Sequence, residues 1–285
     1  MVLETIYIVR HGFRSTYTVD PKTGIYTSAI RNPTGIPTDP PLTSYGVAQS
    51  YQLAKHVLNL DPPVARVYTS PFYRCVQTIA PTVERLRETR KMPGGNAGQI
   101  RGESGIGEWY GPAPFTHPSP PSPDVISALF PPASTDLSTP QNLYSLNYTP
   151  LLVPPNTGET IHALHARVAM TFNRMISALD EEEGEPKAIL ICTHAATMIA
   201  AGRVLTGKKP PMWEEDDFAA WTCGLSTFVR RRTRGAQNHD RGHGEAGEAE
   251  IDNEARWEGT GVTGGWDCIV NGDCSFLDGG PERGW

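Results

Sequence analysis

Three side chains that could carry chemistry, His11, Arg74 and His194, each come shortly after an apolar run of the sequence. Runs of this length and composition predict buried β-strands. Because the carboxyl ends of parallel strands open on the same edge of a sheet, we expect the three side chains to converge there. Glu108 joins them from a glycine-flanked loop. The apolar runs are Leu3–Val9, Val64–Thr69 and Ala188–Cys192.

Arginines concentrate around the same positions. Arg10 precedes His11, Arg14 follows it closely, and Arg74 lies near the predicted start of a helix, where backbone N–H groups and the helix dipole attract anions. So many positive charges around one pocket are costly unless an anion fills it. Guanidinium groups match phosphate oxygens in bidentate fashion, so phosphate is the expected occupant.

These residue types suit phosphoryl transfer. An imidazole with an ordinary pKa of about 6.5 keeps an unprotonated nitrogen near neutrality, so His11 is a candidate nucleophile. An alkoxide leaving group needs a proton, which Glu108 could supply if burial or the incoming phosphate raised its pKa. The arginines and His194 would stabilise charge on the transferring group, so we expect no metal ion and no cofactor.

Alternation of strands and helices predicts an α/β fold, a three-layer α/β/α sandwich with a mostly parallel central sheet. Helical periodicity predicts a helix over Ser44–Asn59 and a stronger one over Thr160–Glu181, and further helices are expected after Ser70–Cys75 and after His194. Two later segments, Thr222–Arg231 and Trp266–Val270, predict strands at an edge of the sheet.

We expect residues 1–285 to form a single domain, because its length suits one core with insertions. Residues 111–158 are rich in Pro, Ser and Thr, which predicts an insertion or lid with one short helix, Asp124–Phe130. Residues 233–253 are Gly-rich and charged, which predicts a mobile loop.

The bulk composition narrows the function classes. A formal net charge of -6 argues against a nucleic-acid surface, which depends on clustered Lys and Arg. Neither a signal peptide nor a membrane-spanning run is evident, so we expect a soluble intracellular protein, cytoplasmic or nuclear, without a membrane partner. The five cysteines have no CxxC spacing, and no C-x5-R loop surrounds Cys75 or Cys192, so buried thiols are expected.

Three motifs resemble the histidine phosphatase, or phosphoglycerate mutase-like, superfamily. They are Val9-Arg10-His11-Gly12, Ser70-Pro71-Phe72-Tyr73-Arg74-Cys75-Val76-Gln77-Thr78 and Thr193-His194-Ala195. Further motifs resemble the branch that holds the fungal phosphatase-domain subunit of the transcription factor TFIIIC and the phosphatase domain of the suppressor of T-cell receptor signalling proteins. These are Arg10-His11-Gly12-Phe13-Arg14-Ser15, Gly105-Ile106-Gly107-Glu108-Trp109-Tyr110 and Asn271-Gly272-Asp273-Cys274-Ser275-Phe276-Leu277.

The resemblance implies a phosphoglycerate mutase-like fold and a role for each matching residue. His11 would be the nucleophile, Glu108 the proton donor, and His194 a stabiliser of the transferring group. The same resemblance implies that Arg10, Arg14 and Arg74 bind the phosphoryl oxygens. Family members commonly carry Asn where this chain has Thr16, which implies one weaker phosphate or water contact here.

Several functional alternatives stay open at this point. A phosphatase would hydrolyse a phosphorylated small molecule or phosphoprotein, whereas a phosphomutase would retain the phosphohistidine for a second hydroxyl. A third interpretation is a catalytically weak or inactive interaction module that binds other TFIIIC subunits. Phe13, Trp109 and Tyr110 are candidate substrate-binding residues, although packing alone would also explain Trp109 and Tyr110.

Overall fold

The structure, a computed structural model, describes residues 2–89, 91, 98–131, 142–182, 186–231 and 255–284. Strands are numbered in chain order as β1 (Thr5–Arg10), β2 (Tyr17–Val19), β3 (Tyr26–Ser28), β4 (Arg66–Thr69), β5 (Ile100–Gly102), β6 (Ala188–Thr193), β7 (Leu225–Arg230) and β8 (Trp266–Asp273). Helices are α1 (Ser44–Val57), α2 (Tyr73–Glu88), α3 (Pro123–Leu129), α4 (Ile161–Glu181) and α5 (Ala195–Thr206).

Six strands form the central sheet in the order β5-β4-β6-β1-β7-β8. Strands β5, β4, β6 and β1 are parallel to one another, whereas β7 runs antiparallel to both β1 and β8. The predicted mostly parallel sheet is therefore confirmed. The expectation that both late strands lie at an edge is right for β8 and wrong for β7, because β7 pairs with a strand on each side.

Helices cover both faces of this sheet, and the side chains of β1 show how. Ile6 and Ile8 belong to the core beneath α4 and α5, whereas Tyr7 and Val9 belong to the core beneath α1 and α2. Successive side chains of a strand point to opposite faces, so β1 is buried on both sides. This explains why its sequence is a continuous apolar run and produces the predicted three layers.

Local signals set the ends of the helices. The side chain of Thr160 accepts a hydrogen bond from the N–H of Ala163 at the start of α4, and Thr43 caps α1 through Gly46 in the same way. Helix α5 ends at Gly207, whose φ of 76° lies in the left-handed region that favours glycine. Each end follows from the residue type at the cap.

Two segments depart from the regular alternation. In the described part of residues 111–158, α3 is the one helix, in agreement with the predicted short helix there. The hairpin of β2 and β3 was not predicted, because three-residue strands are too short for periodicity to reveal. The predicted mobile loop, 233–253, lies outside the described residues.

None of the helices in the described part is both long and apolar enough to cross a bilayer.

Candidate active site

The register of two neighbouring strands places His11 beside His194. Arg10 lies opposite Thr193 in the parallel pair β1–β6, and the N–H of His11 continues the ladder by donating to the Thr193 carbonyl over 2.9 Å. One residue beyond that pair, the two imidazole rings lie with their centroids 5.3 Å apart. The structure therefore brings together at one sheet edge the two histidines that the strand pattern predicts to converge.

His11 is held as a neutral imidazole with one defined free nitrogen. Its Nδ1 lies 2.8 Å from the carbonyl oxygen of Gly12, which accepts hydrogen bonds only, so Nδ1 carries the proton. Burial, followed by the positive charges of Arg74, Arg10 and His194, keeps the pKa of His11 well below its usual range. The Nε2 atom therefore keeps its lone pair and is available for attack.

Arg74, the second residue of α2, is fully buried behind the two histidines. Its Nη1 donates to the carbonyl of Thr38 over 2.9 Å and lies 3.4 Å from a carboxylate oxygen of Asp39. Its Nη2 donates to Oε2 of Glu108 over 2.8 Å. Its Nε has no hydrogen-bond partner among the described residues. A buried guanidinium N–H without an acceptor is costly, which favours an anionic ligand here.

His194 forms the opposite side of the site. Its Nδ1 lies 3.1 Å from Oε2 of Glu108, and its Nε2 lies 2.7 Å from the hydroxyl oxygen of Ser70 and 3.6 Å from the sulfur of Cys75. Burial lowers the pKa of His194, but Cys75 and Glu108 outweigh it and raise that pKa above its usual value. His194 is therefore suited to carry the positive charge that His11 lacks.

Glu108 reaches the site because its loop is pinned from several sides. The carbonyl of Gly107 accepts a hydrogen bond from the Thr197 hydroxyl over 2.7 Å. Gly105 passes so close to α4 that a Cβ atom there would lie 2.2 Å from the hydroxyl oxygen of Thr171. Gly105 therefore allows the turn before Glu108 to pass against α4, and the hydrogen bond from Thr197 ties the same loop to α5.

The charge environment makes Glu108 strongly acidic. Burial raises the pKa of this carboxyl group, but His194 and Arg74 outweigh burial and hold the pKa well below its usual range. Burial alone therefore does not produce the raised pKa that a proton donor needs. Of the two causes that could raise the pKa of Glu108, burial and an incoming phosphate, only the phosphate remains.

Arg10 and Arg14 complete the positive side of the site. The Nη1 of Arg10 donates to the carbonyl of Ala220 over 2.8 Å and also to the carbonyl of Arg283. Burial is the main cause that lowers the pKa of Arg10 to about 10. Arg14 lies with its guanidinium carbon 4.8 Å from the ring centroid of Tyr17, and its buried Nε has no hydrogen-bond partner among the described residues. Both guanidinium groups are thus fixed in place by other parts of the chain.

The three candidate substrate-binding residues lie in different places. Tyr110 lines a cavity of about 200 Å³ that also touches Glu108. Trp109 packs against the core around α4, and its indole N–H donates to the carbonyl of Glu159 over 3.0 Å. Phe13 packs edge-on against Tyr45 and does not line this cavity. Tyr110 therefore lies in the wall of the cavity, whereas Trp109 and Phe13 make packing contacts elsewhere.

Several residues that support the site carry no recognisable signal in the sequence. Asp39 holds Arg74, and its own carboxylate also accepts the N–H of Tyr73 over 2.9 Å. Tyr17 lies under Arg14 from the unpredicted hairpin. Only Ser70, which contacts His194, belongs to a motif and could have been found from it. The other two depend on loop paths that local patterns do not determine.

Within the described ranges, no group of three or more His, Cys, Asp or Glu side chains is arranged to hold a metal ion. The five cysteines are not joined by disulfides, and Cys75 and Cys192 are fully buried. Both cysteines belong to the core between the sheet and helices α1 and α2, and Cys75 in addition contacts His194 at the edge of the site.

Comparisons with known proteins place this geometry in context. Residues 6–94 match the model of the family described as histidine phosphatase superfamily (branch 1). The transcription factor tau 55 kDa subunit of Saccharomyces cerevisiae is 30% identical over 291 residues, which cover 100% of this chain and 59% of that protein. The ecdysteroid-phosphate phosphatase of Drosophila melanogaster is 28% identical over 229 residues, 72% of this chain and 27% of that protein.

The fold is also found among solved structures. The ecdysone phosphate phosphatase from Bombix mori superposes with a TM-score of 0.53 at 17% identity, covering 85% of this chain and 98% of that one. At this identity the likeness concerns the fold alone, and it matches the mostly parallel, three-layer architecture described above. The family match over residues 6–94 shows that this part of the chain resembles the histidine phosphatase superfamily, and the chain has the phosphoglycerate mutase-like α/β fold.

Proposed function

We propose that this chain is a phosphatase that hydrolyses phosphomonoesters through a phosphohistidine on His11. The observation that carries the proposal is the defined tautomer of His11, whose Nδ1 is engaged by the Gly12 carbonyl. In the first step the free Nε2 attacks phosphorus, the new N–P bond forms, and the ester P–O bond breaks. The phosphoryl group is thereby transferred to His11, and the alcohol oxygen leaves with the bonding electrons.

The surrounding cations are suited to stabilise this transfer. Charge spreads over the three equatorial oxygens of the phosphoryl group, and fixed positive groups around them lower the barrier. Arg14 and Arg74 each have a buried Nε–H without an acceptor among the described residues. Arg10 and His194 add further positive charge on adjoining strand ends. We propose this metal-independent set as the phosphate-binding site.

Glu108 is proposed as the proton donor to the leaving alcohol. Its carboxylate lies between Arg74 and His194, the two groups that a phosphate dianion would also approach. A dianion beside the carboxylate is a like charge, which raises the pKa of Glu108 and favours protonation. The proton then passes to the alkoxide. The ionised carboxylate next accepts a proton from water, which attacks phosphohistidine and releases inorganic phosphate.

Turnover of an aryl phosphate with a chelator present tests this proposal. The expected result is release of inorganic phosphate by the wild type and loss of release in His11→Ala and Glu108→Gln. The variant His56→Ala is the matched control, because His56 stacks on Phe276 at 4.2 Å and lies outside the site. Equal rates for the wild type and His11→Ala would overturn the proposal.

A second candidate function rests on a different observation. The relative that matches the whole of this chain is named a transcription factor subunit, and the chain spans 59% of that relative. We propose as the alternative that the domain binds other subunits of a TFIIIC-like complex in the nucleus. Affinity purification of the tagged chain tests it. Recovery of subunits of such a complex with both the wild type and His11→Ala is expected, and recovery of none would contradict the alternative.

A further inference from the structure

A cavity lies beside Glu108, the proposed proton donor to the leaving group of the phosphoester. Its volume is about 200 Å³, and Glu108 borders both the cavity and the cationic site. Prolines and aromatic rings make up much of its wall. They include Pro71, Phe72, Tyr110, Pro118, Pro120 and Pro154. Flat rigid walls of this kind favour a planar apolar group over a small polar one.

His117 is the residue that holds two walls of this cavity together. Its Nε2 donates to the carbonyl of Gly111 at 3.0 Å, and its Nδ1 is hydrogen-bonded to the Tyr26 hydroxyl at 2.6 Å. Its backbone N–H donates to the carbonyl of Asn156 over 2.7 Å. His117 thus links the hairpin β2–β3, the segment after Glu108 and the far arm of the insertion.

The ring of His117 also orients Tyr110. The two rings stack with centroids 4.7 Å apart and planes inclined by 10°, which is close to parallel. Gly158 completes the junction, because its φ of 80° requires glycine and a Cβ there would lie 2.2 Å from the carbonyl oxygen of Gly111. His117 itself is buried, with 8% of its surface exposed. The ring of Tyr110, two residues from Glu108, is therefore held in place by His117.

We propose that His117 is a specificity-determining residue that shapes the leaving-group cavity for a planar apolar group esterified to phosphate. It acts by fixing the Tyr110 wall against the arm that contains Asn156, while the phosphate-binding arginines stay in place. The inference rests on the proposed function for the identity of the bound ester. It adds to that function the class of leaving group and the residue that selects it.

Equilibrium binding of two phosphonates tests this inference without requiring turnover. Benzylphosphonate occupies both the cationic site and the cavity, whereas methylphosphonate occupies the cationic site alone. We expect His117→Ala to weaken benzylphosphonate by about tenfold, since it removes one ring stack and two hydrogen bonds. Methylphosphonate should change by less than about twofold, because its contacts do not involve the cavity. Calorimetric titration measures both constants.

Milder variants keep the test decisive if His117→Ala folds poorly. His117→Phe retains a ring over Tyr110, and Tyr26→Phe removes only the hydroxyl that contacts Nδ1, so each should weaken benzylphosphonate by about threefold. The control is His56→Ala, which removes another stacked histidine far from the cavity wall. It should leave both constants unchanged.

The outcomes separate this inference from the proposed function. Selective loss of benzylphosphonate in the His117 and Tyr26 variants supports it, even if no variant or wild type turns over an ester. Equal losses of both phosphonates, no change of either, or no binding of either to the wild type would overturn it. Failure of the proposed function would instead appear as equal ester turnover by the wild type and His11→Ala.

Discussion

The cationic site and the leaving-group cavity share Glu108 but are built in different ways. Most side chains of the cationic site extend from the ends of β1 and β6 and from the start of α2, where backbone register sets their positions, whereas Arg14 and Glu108 lie in loops. The cavity walls come mainly from residues 110–120 and 153–159, which contain neither helix nor strand, together with Pro71, Phe72, Ser104 and Gly107. The difference suggests that chemistry here depends on the sheet, and selection depends on loop contacts such as those of His117 and Arg167.

Arg167 links these two regions. From α4 it donates through Nη1 to the carbonyl of Gly105 over 2.9 Å and through Nε to the carboxylate of Glu159 over 2.9 Å. Gly105 belongs to the turn before Glu108, and Glu159 lines the cavity. Both segments are therefore anchored to the same helix, which keeps the cavity aligned with the cationic site.

The variant with the largest expected effect removes His11, the proposed nucleophile. His11→Ala should lower kcat by about 10⁴-fold or more for every ester tested, because no other group replaces the covalent step. Stopped assays of phosphate release measure this loss. A variant that selectively loses large substrates and keeps small ones would contradict the assignment of His11 to the chemistry.

Arg74→Ala should have the largest effect on stability among the site variants. It leaves Asp39 buried without its cation, so we expect the free energy of unfolding to fall by about 3–5 kcal/mol. Urea unfolding measures the change. Adding Asp39→Asn should recover part of it, since the uncompensated carboxylate is then gone. A loss below about 1 kcal/mol would show that the pair contributes little.

Tyr110 and Phe13 provide a matched pair of aromatic truncations. Tyr110→Ala should raise KM for an aryl phosphate by about tenfold, because the ring forms a wall of the cavity. Phe13→Ala should change it by less than about threefold, because Phe13 packs on Tyr45 instead. Initial-rate kinetics with a small alkyl phosphate as second substrate complete the comparison. The reverse order of effects would place the leaving group near Phe13.

The pH dependence of kcat/KM gives a smaller but specific signal. Burial and the neighbouring cations depress the pKa of His11. The acid limb of the kcat/KM profile, which reports protonation of His11, should therefore lie below the ordinary imidazole pKa of about 6.5. The folded state then binds its proton less readily than the unfolded state, so His11 makes the protein less stable as pH falls below about 6.5. His11→Gln should lose less stability over that range. An acid limb at or above pH 6.5 would contradict this charge arrangement.

The residues of the cationic site could be predicted from the sequence, whereas the loop contacts around the cavity could not. Apolar runs predicted the strands that precede His11, Arg74 and His194, and parallel pairing then brings these side chains together. Local patterns did not predict Asp39, Tyr17 or His117, because their contacts join segments that no periodicity relates. The low pKa of Glu108 was also missed, since it depends on the distances to Arg74 and His194.

The central claim is that His11 carries the phosphoryl group, and alkaline quenching during turnover tests it most directly. Phosphohistidine survives alkali, so mass spectrometry of the digested chain can locate a phosphoryl group on the peptide that contains His11. We predict that the group is found there in the wild type and is absent from His11→Ala. Turnover without a phosphorylated His11, or with the phosphoryl group on Cys75, would contradict the account.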